Sequence, residues 1–312
     1  MNFCDTKHEK IKFRPVTLED RENYMRALQK EDGRGCEFSF ANLYLWGRQS
    51  ISLRDGHILF FSQFDRRSVY PYPLGNEDPK AALDAIIADA QARGIPCRIT
   101  GLSTEARQTL ETLYPNRFRF HCDEAAFDYV YDINDLADLT GKKYHGKRNH
   151  LRRFEEAYPN YTTEPLNDTN LSAAWEMTQE WYKERLTEDP NEDFLMEQAA
   201  LKKAFRDYRT LEMEGLILRN GDRLLAFTMA SPLSKDTLDV HFEKAVSGVQ
   251  GAYAAINREF ARYIRNKYPH IRYLNREEDM GLEGLRKAKR SYHPHHMVEK
   301  YWGCLLEDGY EY

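Results

Sequence analysis

Nowhere in this 312-residue chain is there an apolar run long enough to cross a bilayer, and 30% of its residues are charged, so a helical membrane span is excluded. Cysteine is scarce and irregularly spaced. Cys4, Cys36, Cys97, Cys122 and Cys304 form an odd-numbered set, which argues against a disulfide framework and a four-thiolate zinc site and implies reduced thiols. A surplus of positive charge is also missing: 45 Lys and Arg face 50 Asp and Glu, for a net charge of −5. That excludes a general polyanion binder while leaving room for a local basic groove. Met1 to Lys7 have no apolar segment behind a basic leader, so no secretory or transit segment is expected and cytoplasmic residence follows. A Gly-x-Ser-x-Gly elbow, a Walker loop and a dinucleotide fingerprint are all lacking.

What is present is enough material for about two domains, with 41% of the residues hydrophobic. A faint internal echo supports that division. Asp55-Gly56 lies between Ile51–Arg54 and Ile58–Phe61, and Asn220-Gly221 lies between Leu216–Arg219 and Leu224–Phe227. Both dipeptides tolerate the positive φ angles of a tight hairpin turn. After each hairpin the pattern predicts a strand, a helix, a strand and a second helix. Leu83, Ile86, Ile87 and Ala90 make one helical stripe; Tyr253, Ile256, Phe260, Tyr263 and Ile264 make its counterpart. A single closing strand is predicted over His296 to Trp302. The fold class is therefore α/β, with mixed sheets flanked by helices, a join between Tyr129 and Leu139, and a shared interface because no low-complexity linker intervenes.

Three segments carry candidate chemistry. Gly141 to Phe154 packs six Lys or Arg and two His into fourteen residues with no acid, a candidate clamp for phosphate built from Lys142, Lys143, His145, Lys147, Arg148 and Asn149. Solvation of a helix start is its ordinary explanation. His241 to Tyr253 is a strand end, a loop with Gly248 and Gly251, and a helix start at Tyr253, where free backbone N–H groups favour a pyrophosphate. Glu243 at that strand end is a candidate to position or deprotonate an amine. Asn257, farther along the helix, joins the substrate-contact set.

Tyr273 to Pro294 is the third segment. Its acids, including Glu278 and Asp279, either cap the following helix or bind a cationic group. Asn275 and Arg276 stand at a strand tip, where open α/β sheets place ligands. Lys287 and Lys289 point about 200° apart on a helix, so at most one of them faces a site. Lys289 is favoured, three residues before Tyr292, with which it could protonate a leaving atom. His293, His295 and His296 match no zinc spacing, and no metal is expected. In the first half Glu37, Asn42 and Trp46 are candidates to line a pocket at the domain junction.

The stretches Glu37 to Trp46, Gly141 to Phe154, Phe242 to Phe260 and above all Asn275 to Gly281 through Tyr292-His293-Pro294 resemble the family related to the C-terminal catalytic part of phosphatidylglycerol lysyltransferase. The resemblance covers nearly the whole chain. It implies two tandem GNAT-type domains, 1–135 and 136–312, with the active site in the second. It further implies acyltransferase chemistry, in which an aminoacyl or acyl group moves from aminoacyl-tRNA or acyl-CoA to a small-molecule, peptide or lipid acceptor. No permanently bound cofactor is implied; tRNA and a peripheral membrane contact remain open as partners. The Lys289 to Tyr292 spacing resembles the family's lysine-x-x-aromatic element near the donor phosphate. Two departures stand out: no counterpart of the membrane-spanning half, and a Tyr where Phe is more usual, which is similar to the general acid of coenzyme-A-dependent GNAT enzymes. The competing class is a non-catalytic module binding a nucleotide, RNA or peptide in the same cleft.

Overall fold

The computed structural model describes residues 9–31, 33–64, 67–75, 78–188 and 192–306; the leader reading and Cys4 fall outside them. The first half runs β1 (Arg14–Pro15), α1 (Arg21–Leu28), α2 (Phe40–Trp46), β2 (Gln49–Arg54), β3 (His57–Phe64), β4 (Arg67–Pro71), α3 (Lys80–Arg93), β5 (Arg98–Leu102), α4 (Thr104–Leu113) and β6 (Phe118–Cys122). The second begins with β7 (Asp128–Asp132), α5 (Ile133–Asp138), α6 (His145–Ala157), β8 (Tyr161–Pro165), α7 (Leu171–Glu188) and α8 (Glu192–Arg206). It continues through β9 (Glu214–Asn220), β10 (Arg223–Pro232), β11 (Thr237–Ala245), α9 (Ala252–Lys267), β12 (Tyr273–Asn275), α10 (Glu283–Arg290), β13 (His296–Val298) and β14 (Tyr301–Leu305).

Both hairpins form. Arg54 pairs with His57 around Asp55 (φ 50°) and Gly56 (φ 80°), a turn whose twist suits the strands. In the second hairpin Asn220 pairs with Arg223, so the turn residues are Gly221 and Asp222, one position later than the Asn-Gly dipeptide suggested. Each hairpin leads to a parallel pair joined by a helix, β4 with β5 through α3 and β11 with β12 through α9. The remaining pairings are antiparallel. Each half is thus a mixed, mostly antiparallel sheet flanked by helices.

The two seven-stranded sheets run β1-β2-β3-β4-β5-β14-β6 and β13-β7-β12-β11-β10-β9-β8. They cross the expected division between 135 and 136 twice. β7, which lies before that division in the sequence, pairs with β12 in the second sheet, and β14 from the far end pairs with β5 and β6 in the first. The single closing strand expected over His296 to Trp302 is accordingly two strands, broken at Glu299 and Lys300 where the chain passes between sheets. Alternation marks both as strands, but period two does not say which sheet receives them.

One apolar core fills the first sheet and continues beneath α7 and α8, joining Tyr24, Phe60 and Leu83 to Tyr182, Phe227 and Phe242. A second lies on the opposite face of the second sheet, under α5, α6 and α9. The shared interface is therefore apolar and continuous. Tyr253 departs from its predicted stripe: it is 47% exposed, while Ile256, Phe260 and Ile264 are buried.

Candidate functional site

β11 and β12 pair only from Thr237–Tyr273 to Asp239–Asn275. Beyond Asn275 β12 ends and β11 runs on to Ala245, so a gap opens between β11 and the loop after β12. The pairing of β11 with β10 also slips by one residue at His241, a bulge of the kind that re-aims side chains. Into this neighbourhood the first half inserts Cys36 to Trp46: the Cys36 N–H donates to Asp128 Oδ2 at 2.6 Å and the Asn42 amide to Glu277 Oε1 at 3.0 Å.

The loop from Arg276 to Gly281 has a built frame. The Asn275 amide donates to Asp128 at 2.9 Å and its Oδ1 accepts from the Glu277 N–H at 2.7 Å, which supports the left-handed Glu277 (φ 58°). Lys289 is buried behind it, its ammonium donating to the carbonyls of Arg276, of Glu277 at 3.0 Å and of Glu278 at 2.6 Å. All three of its N–H groups are thereby engaged. Lys289 is a positioning residue and not the proton donor the sequence suggested; burial, reinforced by Arg276, lowers its pKa. Asp279 is likewise committed. Arg286 at 2.8 Å, the Tyr129 hydroxyl at 2.6 Å and the Gly281 N–H at 2.8 Å surround it and lower its pKa to about 2, so it anchors the loop and does not bind a substrate cation.

One side of the gap is cationic. Arg276 donates to Glu243 Oε1 at 2.8 Å and lies 5.1 Å from the Tyr292 ring centroid; the Lys147 ammonium stands 3.6 Å from the same centroid. Lys147 has no hydrogen-bonded or ion-paired partner among the described residues, and the Tyr292 hydroxyl makes no hydrogen bond there. Burial and the Arg276 charge push Lys147 down to about 8, against the pull of Glu243. Burial raises Tyr292 to about 12. Tyr131, unnoticed in the sequence, packs edge-on against Tyr292 at 6.3 Å.

The other side is acidic. Three carboxyls gather around the buried ammonium of Lys300, Asp128 at 2.6 Å, Glu37 at 2.9 Å and Glu278 at 3.4 Å, and two more, Glu277 and Asp239, stand 3.3 and 3.5 Å from His241 Nδ1. Burial opposes the Lys300 charge, but Asp128, Cys36, Glu37 and Glu278 outweigh it and hold its pKa well above the usual value. Asp239 is pushed well up by burial and by Glu277 and Asp128. Glu278, 37% exposed at the rim, rises to about 7 because burial, Asp128, Glu37 and Glu277 overcome Lys300. Negative charge exceeds positive here.

The predicted residues therefore divide. Glu243, Arg276, Tyr292 and Lys147 meet on one side; Glu37, Asn42 and Glu278 meet on the other, with Trp46 Nε1 donating to Asn42 Oδ1 at 3.1 Å. Asn275 is wholly buried in the frame. Asn257 is buried in α9, its Oδ1 unpartnered.

The rest of the basic segment braces its own helix start. Arg148 donates to the carbonyls of Leu139 and Gly141, Lys143 pairs with Asp135, Asn149 lies 3.4 Å from His145, and Lys142 is exposed. The phosphate cradle expected at Gly251 is covered: a Cβ there would stand 2.5 Å from the His150 carbonyl and 3.0 Å from Phe154 Cβ, so glycine lets α6 cross α9 closely. Gly251→Ala is expected to cost roughly 2–3 kcal/mol. Gly248→Ala, with φ 77° but open space around it, should cost about 1 kcal/mol. Equal shifts in thermal unfolding would refute this contrast.

His241, Asp239, Asp128, Cys36 and Lys300 escaped the sequence reading, whereas Glu277 was among the acids read as cap or cation binder. The alternation Asp239-x-His241-x-Glu243 within an apolar strand was the available signal for the first two.

Comparison places these residues in a family. The sequence profile of the family described as phosphatidylglycerol lysyltransferase, C-terminal, matches residues 29–304. A protein of unknown function from Bacteroides thetaiotaomicron has 38% identity and a TM-score of 0.89, covering 95% of this chain and 100% of that one. L-PGS from Bacillus licheniformis superposes with a TM-score of 0.67 at 16% identity over 95% of this chain and 94% of its own, and FemX with 0.57 at 12% over 96% and 98%. At those identities the latter two show the fold alone. An uncharacterized protein of Mycoplasmoides gallisepticum is 22% identical over 183 residues, 57% of this chain and 56% of that relative, so the match spans little more than half its length. No helix among the described residues is long and apolar enough to cross a membrane.

Proposed function

Since this chain belongs to the family of phosphatidylglycerol lysyltransferase C-terminal domains, we propose that it transfers an aminoacyl group from an activated, phosphate-bearing ester, such as aminoacyl-tRNA, to a hydroxyl or amine acceptor. The observation that carries this reading is the meeting of two oppositely charged lobes across adjacent residues, Arg276 facing one and Glu277 and Glu278 the other. An aminoacyl ester has the matching polarity: phosphate and developing oxyanion at one end, an ammonium at the other. Acyl-CoA lacks the ammonium. The family's description, which speaks of lysyl transfer, points in the same direction.

In this reading Lys147 and Arg276 stabilise the charge that develops on the ester carbonyl. Glu243 holds Arg276 and receives the proton of the attacking acceptor. As the carrier's C–O bond breaks, Tyr292 donates a proton to the leaving oxygen; its raised pKa keeps it protonated at neutral pH and suits a weakly acidic sugar hydroxyl. The proton on Glu243 returns to Tyr292 through solvent.

Binding tests the donor class. An aminoacyl ester of adenosine or of a tRNA minihelix should bind at least about tenfold more tightly than its N-acetyl derivative, which has no ammonium. Equal affinities, or a preference for acetyl-CoA, would overturn the aminoacyl reading. The alkaline limb tests the oxyanion role: Lys147 is charged below about 8 and neutral above it, so kcat/KM should fall as pH rises through about 8. Lys147→Arg, which stays charged, should move that fall upward. An unchanged limb would remove Lys147 from the role.

A further inference from the structure

Asp239 and His241 stand two residues apart on β11 at the bulge, and Glu277 reaches them from the loop after β12. One ligand atom from each lies within 4.8 Å of the other two. His241 Nδ1 is 3.3 Å from Glu277 Oε1 and 3.5 Å from Asp239 Oδ2. These distances are long for a charge-assisted N–H···O bond, which closes to about 2.7–2.9 Å. They match the edges of a coordination tetrahedron instead, because ligands about 2.0–2.2 Å from a zinc-sized ion stand about 3.3–3.6 Å apart. We infer that Asp239, His241 and Glu277 bind a divalent transition ion of the zinc type.

Three further features fit. Ser231 Oγ is 2.7 Å from His241 Nε2, the outer contact that fixes a ligating imidazole and leaves its other nitrogen to the metal. The Asn42 amide donates to Asp239 Oδ2 at 3.3 Å and to Glu277 Oε1 at 3.0 Å; it holds the two carboxylates together and leaves each oxygen a further lone pair. Asp239 is wholly buried, and its Oδ1 has no hydrogen-bond partner although the Ser39 hydroxyl lies near the carboxyl. The imidazole favours a transition ion over magnesium or calcium, which prefer all-oxygen sites. With the ion in place, Glu37, Asp128 and Glu278 still outnumber Lys300, so the ammonium-binding rim of the proposed function persists.

The inference goes beyond the transfer reaction and is read without its substrates. The full chain, stripped with chelator and dialysed, is titrated with Zn2+ by calorimetry and against a chromophoric chelator. One equivalent is expected, displaced poorly by Mg2+. His241→Gln and Asp239→Asn should each weaken binding by about 100-fold or more, and Ser231→Ala by about 10-fold. The His295→Ala/His296→Ala double variant controls for the exposed histidine pair, whose Nδ1 atoms lie 2.9 Å apart, and should bind as the parent does. No uptake at micromolar Zn2+, full retention by His241→Gln, or loss in the histidine-pair variant would each overturn the site; the first leaves a shared proton as occupant. If the β11 variants do not fold, Co2+-loaded parent protein decides. Paramagnetically shifted imidazole resonances from one histidine support the site, and from two or from none defeat it.

Discussion

Lys300→Met lowers the free energy of unfolding by about 3–5 kcal/mol at pH 7.5, with a smaller deficit at pH 5. Methionine keeps most of the side-chain volume, so the loss is electrostatic and not a cavity. Lys300 is 2.6 Å from Asp128, which is itself wholly buried, and it also neutralises Glu37 and Glu278. Removing it strands these carboxylates in a medium that solvates them poorly. The pH dependence follows from the direction of the shifts. Glu278 has a folded pKa of about 7 against an ordinary 4.5, so the folded chain holds a proton that the unfolded chain has released. Stability from that group falls as pH rises between those values. Without Lys300 more carboxyls join this behaviour, and lowering the pH relieves their repulsion. Urea unfolding of parent and variant at both pH values measures it; a deficit under about 1 kcal/mol, or one independent of pH, would mean that Lys300 is not the counter-charge of the cluster.

Arg276→Met reduces the rate of aminoacyl transfer by about 10²–10³-fold, and it lowers stability by about 1–3 kcal/mol because the largely buried Glu243 loses its ion-pair partner. The backbone of Arg276 keeps its place without the side chain, because its N–H donates to the Tyr129 carbonyl at 2.9 Å and its carbonyl accepts from Lys289. What goes is the guanidinium between Glu243 and Tyr292. Arg276→Lys should restore only part of the rate, since an ammonium cannot hold Glu243 and face the ester with the same planar fork. Glu243→Gln added to Arg276→Met should cost little more, as expected of two residues acting as one unit. Single-turnover transfer from a labelled aminoacyl ester, paired with thermal unfolding, separates the effects. Wild-type rates in folded Arg276→Met would end the assignment of this lobe to the chemistry.

Several parts of the molecule were legible beforehand because their causes are local. Asp55-Gly56 announces a turn through its own backbone freedom, and the stripe Ile256, Phe260, Ile264 announces a buried helix face through its spacing. Arg276 and Glu243 were found because strand ends before helices are where open sheets expose side chains. The misassignments share a different cause. Lys289 and Asp279 lie in the right segment, yet whether a charged group is free or bonded depends on which backbone folds over it. Gly251 was rightly singled out as a glycine that something approaches closely, but the approaching partner is α6 rather than a phosphate.

By itself the sequence determined the α/β class, the hairpin and parallel-crossover order of both halves, the family resemblance, and most of the cationic lobe, since all of these are written in short spacings along the chain. The tertiary structure alone decided the exchange of β7 and β14 between the sheets and the gathering of Glu37, Asp128 and Glu278 around Lys300 and of Asp239 and Glu277 around His241. Those residues are up to hundreds of positions apart, and electrostatic coupling depends on distance and burial in space, neither of which a linear spacing records.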